Sequence, residues 1–150
     1  MSIKEQLKLD LTEAIRSRDE LTSGTIRMVL TAITNEEVAG TEARQLSDDE
    51  VITVLSREAK KRREAAEAFG DAGRADKAAL EKAEGEVIAK YLPAQLTESE
   101  VAAIIAEAIA ATGAAGPADM GKVMGAVKPK IAGKADGSVV SSLVKAALNK

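Results

Sequence analysis

Glu81, Glu84 and Glu86 are the residues of this chain whose types and spacing most invite acid-base or metal chemistry. On a helix, Glu81 and Glu84 lie on neighbouring turns of one face, which lets their carboxylates converge. A general acid or a metal site also needs a second ligand type or a buried cleft beside the pair, and the flanking residues supply neither. The three glutamates therefore read as solvated surface. With no Cys and no His in 150 residues, a cysteine nucleophile, a serine-histidine triad, a disulfide framework and an ordinary zinc site are all excluded. A G-x-x-x-x-G-K phosphate loop is missing as well. The expected set of catalytic residues, metals and cofactors is none.

The second possibility is electrostatic. Lys122, Lys128, Lys130 and Lys134 surround an apolar stripe of Met120, Val123, Val127 and Ile131, spaced three or four apart as on one face of a helix. Residues 113 to 150 carry six Lys against two acids, net +4, while residues 1 to 112 carry 15 Lys or Arg against 22 Asp or Glu, net -7. An acidic body with a basic tail is compatible with a nucleic-acid contact confined to the C-terminal end, and these four lysines are its candidate residues. It is equally compatible with lysines kept for solubility. A further basic run, Arg57 and Lys60 to Arg63, wraps nearly around a helix in 100° steps. Its acids sit four residues away, Glu58 to Arg62, Lys60 to Glu64 and Arg63 to Glu67, which makes it a solvated face laced with weak ion pairs.

These groups must be held by helices, because no strand pattern and no internal repeat appears. Ser2 and Glu5 form a capping box at a first helix whose stripe is Ile3, Leu7, Leu11 and Ile15. The polar segment Arg18 to Gly24 interrupts it, Ile26, Val29, Leu30 and Ile33 restart it, and Gly40 ends the second helix. Leu46-Ser-Asp-Asp-Glu-Val51 combines a capping box with a hydrophobic staple and opens a third helix, predicted from about Asp48 to Phe69. After the turn Phe69 to Arg74, a fourth helix carries Leu80, Ala83, Val87, Ile88 and Tyr91 and ends at Leu92, before Pro93. So short a turn between long helices implies an antiparallel hairpin. Leu96-Thr-Glu-Ser-Glu-Val101 repeats the box and staple and starts a fifth helix along Val101, Ile104, Ile105, Ala108 and Ile109, stopping at Gly113. Pro117 suits the first position of a sixth, with Asp119 in its first turn. Pro129 should kink or finish that helix, since it removes a donor and crowds the carbonyl of Gly125. Gly133 and Asp136 mark a stop and a new start before the last amphipathic run, Val139 to Leu148.

The segment Tyr91-Leu-Pro-Ala-Gln-Leu96, preceded by Gly73-Arg74 and the Glu81 and Glu84 pair, is followed by Gly116-Pro-Ala-Asp-Met-Gly-Lys-Val-Met124. Together these resemble the GatB/YqeY family, and free-standing YqeY-like proteins are similar in length. The likeness covers most of the chain. The Tyr-Leu-Pro and Asp-Met-Gly-Lys-Val-Met segments are fairly specific in combination and weak singly, while Lys77 and Gly85 stand where apolar residues are expected. The resemblance implies an all-helical protein whose C-terminal three-helix part is similar to the tail domain of the B subunit of the tRNA-dependent amidotransferase. In that enzyme the tail helps to hold tRNA, and the kinase and transamidation chemistry reside in domains without a counterpart in this sequence.

The expected fold is all-α, with a four-helix N-terminal subdomain (1-93) containing a long helical hairpin and a C-terminal three-helix bundle (94-150). No apolar run approaches the roughly 20 residues that span a membrane, and Met1 to Asp10 is amphipathic, so no membrane partner and a cytoplasmic location are expected. Three functional readings stand. The first is a non-catalytic tRNA-associated binding protein or adaptor, with tRNA or amidotransferase subunits as partners. The second is a helical protein-protein interaction module. The third is a carbon-nitrogen ligase with glutamine as amido-N-donor, the label that the resemblance would carry, against which the missing His, Cys and phosphate loop weigh.

Overall fold

In a computed structural model that describes residues 1-149, the chain forms seven α-helices and no strand among the described residues. They are α1 (Ile3–Arg16), α2 (Glu20–Glu37), α3 (Asp48–Asp71), α4 (Ala75–Ala89), α5 (Glu98–Thr112), α6 (Met120–Ile131) and α7 (Gly137–Leu148). A single 3₁₀ turn, Pro117–Asp119, precedes α6. The chain divides into two compact units, Met1–Leu92 and Pro93–Lys150.

Helix starts follow local chemistry. Ser2, Ser47 and Thr97 each accept a bond from the backbone N-H three residues on, and Glu5, Glu50 and Glu100 each accept one in return from the cap's own N-H. The second helix departs from the sequence reading, for it begins at Glu20 instead of near Ile26. Asp19 caps it by accepting from Thr22 N at 3.0 Å, and the hydroxyls of Ser23 and Thr25 donate back to the carbonyls of Glu20 and Leu21. Polar side chains that usually break a helix are thus satisfied inside one. It also ends earlier, at Glu37, with Gly40 in the loop beyond. Pro117 opens the 3₁₀ turn and not α6 itself, and α6 runs two residues past Pro129.

The first unit buries Leu7, Ile26, Val29, Ile33, Val51, Val54, Leu55, Ala59, Val87 and Ile88 as one core. Two expected core residues are outside it: Ile15 is 50% exposed and Leu80 53%. For Leu80 the reason is length. At 1.5 Å per residue, the 24 residues of α3 span about 36 Å, and the core ends at Ala59 on α3 and Val87 on α4. From residue 60 to residue 86 no described residue is fully buried, so the outer half of the α3-α4 hairpin projects beyond the core. Gly73 turns it at φ 74°, and Arg74 N donates to Phe69 O at 2.7 Å. Polar ties hold the inner end: Lys4 Nζ reaches Glu37 at 2.6 Å, and Ile3 N donates to Asp48 Oδ1 at 3.0 Å.

The second unit packs α5, α6 and α7 around Val101, Ile105, Ala108, Val123, Val127, Ile131, Val140, Val144 and Leu148. The segment leading into α5 is bonded to the corner between α6 and α7. Leu96 N donates to Lys134 O at 2.8 Å and Gln95 Nε2 to Gly133 O at 2.9 Å.

Candidate nucleic-acid interface

Val123, Val127 and Ile131, spaced by four, turn one side of α6 into the core. Counting 100° per residue from that side, Lys128 leaves one flank, Lys130 the other, about 160° apart, and Lys122 lies nearer the back. All three are exposed, as is Lys134 just beyond the helix. The four candidates therefore do not form one stripe. Lys128, Lys130 and Lys134 gather at the C-terminal end of α6, where cations also complement the helix dipole. Lys122 stands apart by roughly 9 Å of helix rise. Its ammonium is 3.8 Å from Asp119 Oδ1, whereas Lys128, Lys130 and Lys134 make no ion pair among the described residues. Asp119 itself accepts from Ala115 N at 2.9 Å, which holds its carboxyl below the usual range and keeps it ionised.

Between the flanking lysines runs a strip that the lysine pattern alone does not reveal. Gly121, Gly125, Pro129 and Ala132 are all exposed on the outward side of α6, and a Cβ placed on either glycine would meet nothing within 4 Å. Because Pro129 has no N-H, the carbonyl of Gly125 lacks its usual i+4 donor in the helical ladder. The outward side of α6 is thus nearly bare backbone rimmed by cations. The signal in the sequence was the Gly-Lys-Val-Met-Gly spacing, which puts both glycines on one face.

The acidic candidates turn out otherwise than as solvated surface. Glu81 and Glu84 of α4 converge on Arg62 of α3, with Glu81 Oε2 3.6 Å and Glu84 Oε2 3.0 Å from its Nε. Glu58 Oε2 lies 3.9 Å from the same guanidinium, whose Nη2 also touches Met28 Sδ of α2 at 3.4 Å. The side chains of Arg62, Glu81 and Glu84 are only 15%, 22% and 17% exposed. Burial, reinforced by the charge of Glu81 and opposed by Arg62, raises the Glu84 carboxyl above its ordinary range. Gly85 lies at this contact, and a Cβ placed on it would sit 3.7 Å from Arg62 Cβ, an ordinary van der Waals distance. Lys77, the other departure from apolar expectation, lies over the Phe69 ring, 5.5 Å from its centroid. Arg62 and its glutamates clasp two helices at the point where their common core runs out. Glu86 remains exposed.

Elsewhere in the first unit the Tyr91 hydroxyl donates to Asp10 at the wall of a polar cleft that Asp19 and Lys90 also line. Burial first, then Asp10, push that hydroxyl above its usual pKa, so it stays protonated. Among the described residues no three Asp or Glu are arranged to hold a metal ion.

A family model described as Yqey-like protein matches residues 4–148. Among curated proteins, one called altered inheritance of mitochondria protein 41, mitochondrial, from Clavispora lusitaniae, is 34% identical over 86 residues. The matched stretch is 57% of this chain and 49% of that protein, so the chain spans about half the length of the curated relative it matches.

Proposed function

Because the chain belongs to the YqeY-like family, we propose that it works as a non-catalytic RNA-binding adaptor, with tRNA as the partner, held by the outward face of α6. The observation that carries this reading is the bare strip of Gly121 and Gly125 between exposed Lys122 and Lys128, with Lys130 and Lys134 at its end. A sugar-phosphate backbone needs close approach and cations, not a base-reading pocket, and phosphate contacts of this kind position a nucleic acid without reading its sequence.

Filter binding to mixed tRNA at several salt concentrations tests the reading. Each phosphate neutralised by a lysine releases counterions, so replacing Lys122, Lys130 and Lys134 together with Ala should weaken binding to many tRNAs alike. The log-log salt slope should flatten by roughly 0.7 to 0.9 for each phosphate that is no longer neutralised. Unchanged affinity and slope, with helicity intact, would assign the lysines to solubility.

A further inference from the structure

The outer half of the α3-α4 hairpin carries a trough that folding of the first unit does not explain. It is an open groove of about 570 Å³ lined by small residues, among them Ala66 and Gly70 of α3 with Ala75 and Ala79 of α4. Arg63, Glu67 and Lys82 are the charged residues that line it. The core has already ended at Ala59 and Val87, and no described residue between them is fully buried.

A surface of matching form occurs on α5. Val101, Ile105 and Ala108 face the core of the second unit, and 100° steps put Ala103, Ala106 and Ala110 on the opposite side, all exposed. Glu100 and Glu107, seven residues apart, fall within about 20° of each other along one edge of that alanine ridge. The helix contains three Glu and no Lys or Arg. Glu98 and Glu100 are accounted for by the helix N-terminus, where anions are favoured. Glu107, beyond mid-helix, is not. Alanine on a helix surface is explained by propensity alone, but propensity does not place Glu107 on the edge of a small-residue ridge of the form that fits a small-residue trough lined by Lys82.

We propose that α5 of one copy of this chain packs into the α3-α4 trough of a second copy, with Glu107 facing Lys82. Small side chains on both partners allow the helix axes to approach at the close end of the usual 8 to 10 Å. The two surfaces differ, trough against ridge, and each copy owns one of each, so the contact is heterologous.

The test uses the full chain, nuclease-treated and in high salt so that no RNA bridges the copies. Light scattering and sedimentation should show concentration-dependent association beyond the monomer. Ala79→Glu in the trough and Ala106→Glu on the ridge each plant a charge at the centre of the contact and should weaken association by roughly a hundredfold. Both sites are exposed in the single chain, so circular dichroism should be unchanged. Because the chain has no cysteine, an Ala79→Cys copy mixed with a differently tagged Ala106→Cys copy should form a disulfide across the contact, and two Ala79→Cys copies should not. A monomer at every concentration overturns the proposal, and so does association that survives both glutamate variants.

Discussion

Arg62 Nε lies 3.0 Å from Glu84 Oε2, within a cluster of one cation and three carboxylates that bridges α3 and α4 where their shared core ends. The distance is that of a hydrogen bond but the alignment is not, so the contact is one of charge. Removing the cation leaves three partly buried carboxylates facing one another. Arg62→Met should therefore destabilise the first unit by about 2 kcal/mol, less than for a fully buried pair because these side chains keep some solvent. Urea denaturation followed at 222 nm reads this directly. Adding Glu81→Gln should recover part of the loss, and no recovery would show that Arg62 acts through its packing on Met28 and Gly85.

Glu84 sets the sign of a pH effect. Its pKa is raised in the folded state, mainly by burial, so between 4.5 and the raised value the folded chain binds more protons than the unfolded one. Stability contributed by this group is present at acid pH and falls as pH rises through that window. Glu84→Gln should accordingly leave the chain as stable as the parent near pH 4 and more stable at pH 7. Thermal melts at the two pH values check it, and a variant less stable at pH 7 would mean that attraction to Arg62 outweighs burial.

Glu37 should behave in the opposite sense. Its carboxylate accepts from Lys4 Nζ at 2.6 Å and from Leu46 N at 3.1 Å, and these bonds hold its pKa below 4.5. Its contribution is present above pH 4.5 and is lost as pH falls through the lowered value. Glu37→Gln should lower the urea midpoint at pH 7, with the gap to the parent closing in strong acid.

The two glycines of the α6 strip separate folding from binding. Neither has a neighbour within 4 Å of a Cβ position, so Gly125→Ala should stabilise the second unit by about 0.5 to 1 kcal/mol through helix propensity. Gly125→Leu should keep the fold while blocking backbone approach, and so should weaken tRNA binding in the filter assay. Equal binding by the leucine variant would remove the strip from the interface.

Gly113 gives the contrasting case. It ends α5 at φ 68°, a left-handed conformation that other L-residues adopt only with strain. Gly113→Ala should cost about 1 kcal/mol, seen as a lower urea midpoint.

What was legible in the sequence was what is decided within one turn of helix. The boxes at Ser2, Ser47 and Thr97, the left-handed stop at Gly113 and the apolar spacing of α6 are all local, and the structure has them. The start of α2 was hidden because the polar segment Arg18 to Gly24 read as an interruption until the hydroxyls of Thr22 and Ser23 are seen bonded to the Asp19 carboxylate and the Glu20 carbonyl. The Arg62 cluster was hidden for a different reason: its partners are some 20 residues apart and meet only when the hairpin register is known. Leu80 counted as core because periodicity reports which side of a helix is apolar, not how far the neighbouring helix cluster extends.

Because the hairpin outlasts its core, the first unit cannot be uniformly protected from solvent over time. Backbone amides near Leu7, Ile33 and Leu55 should exchange only when the whole unit opens, while those from about Glu64 to Ala79 should exchange sooner as the two outer helices fray from the Gly73 turn inward, which residue-resolved hydrogen exchange checks. Arg62 and its glutamates are where that fraying should stop. The projecting arm should therefore behave as a separate cooperative segment, melting and re-forming while the rest of the unit stays folded.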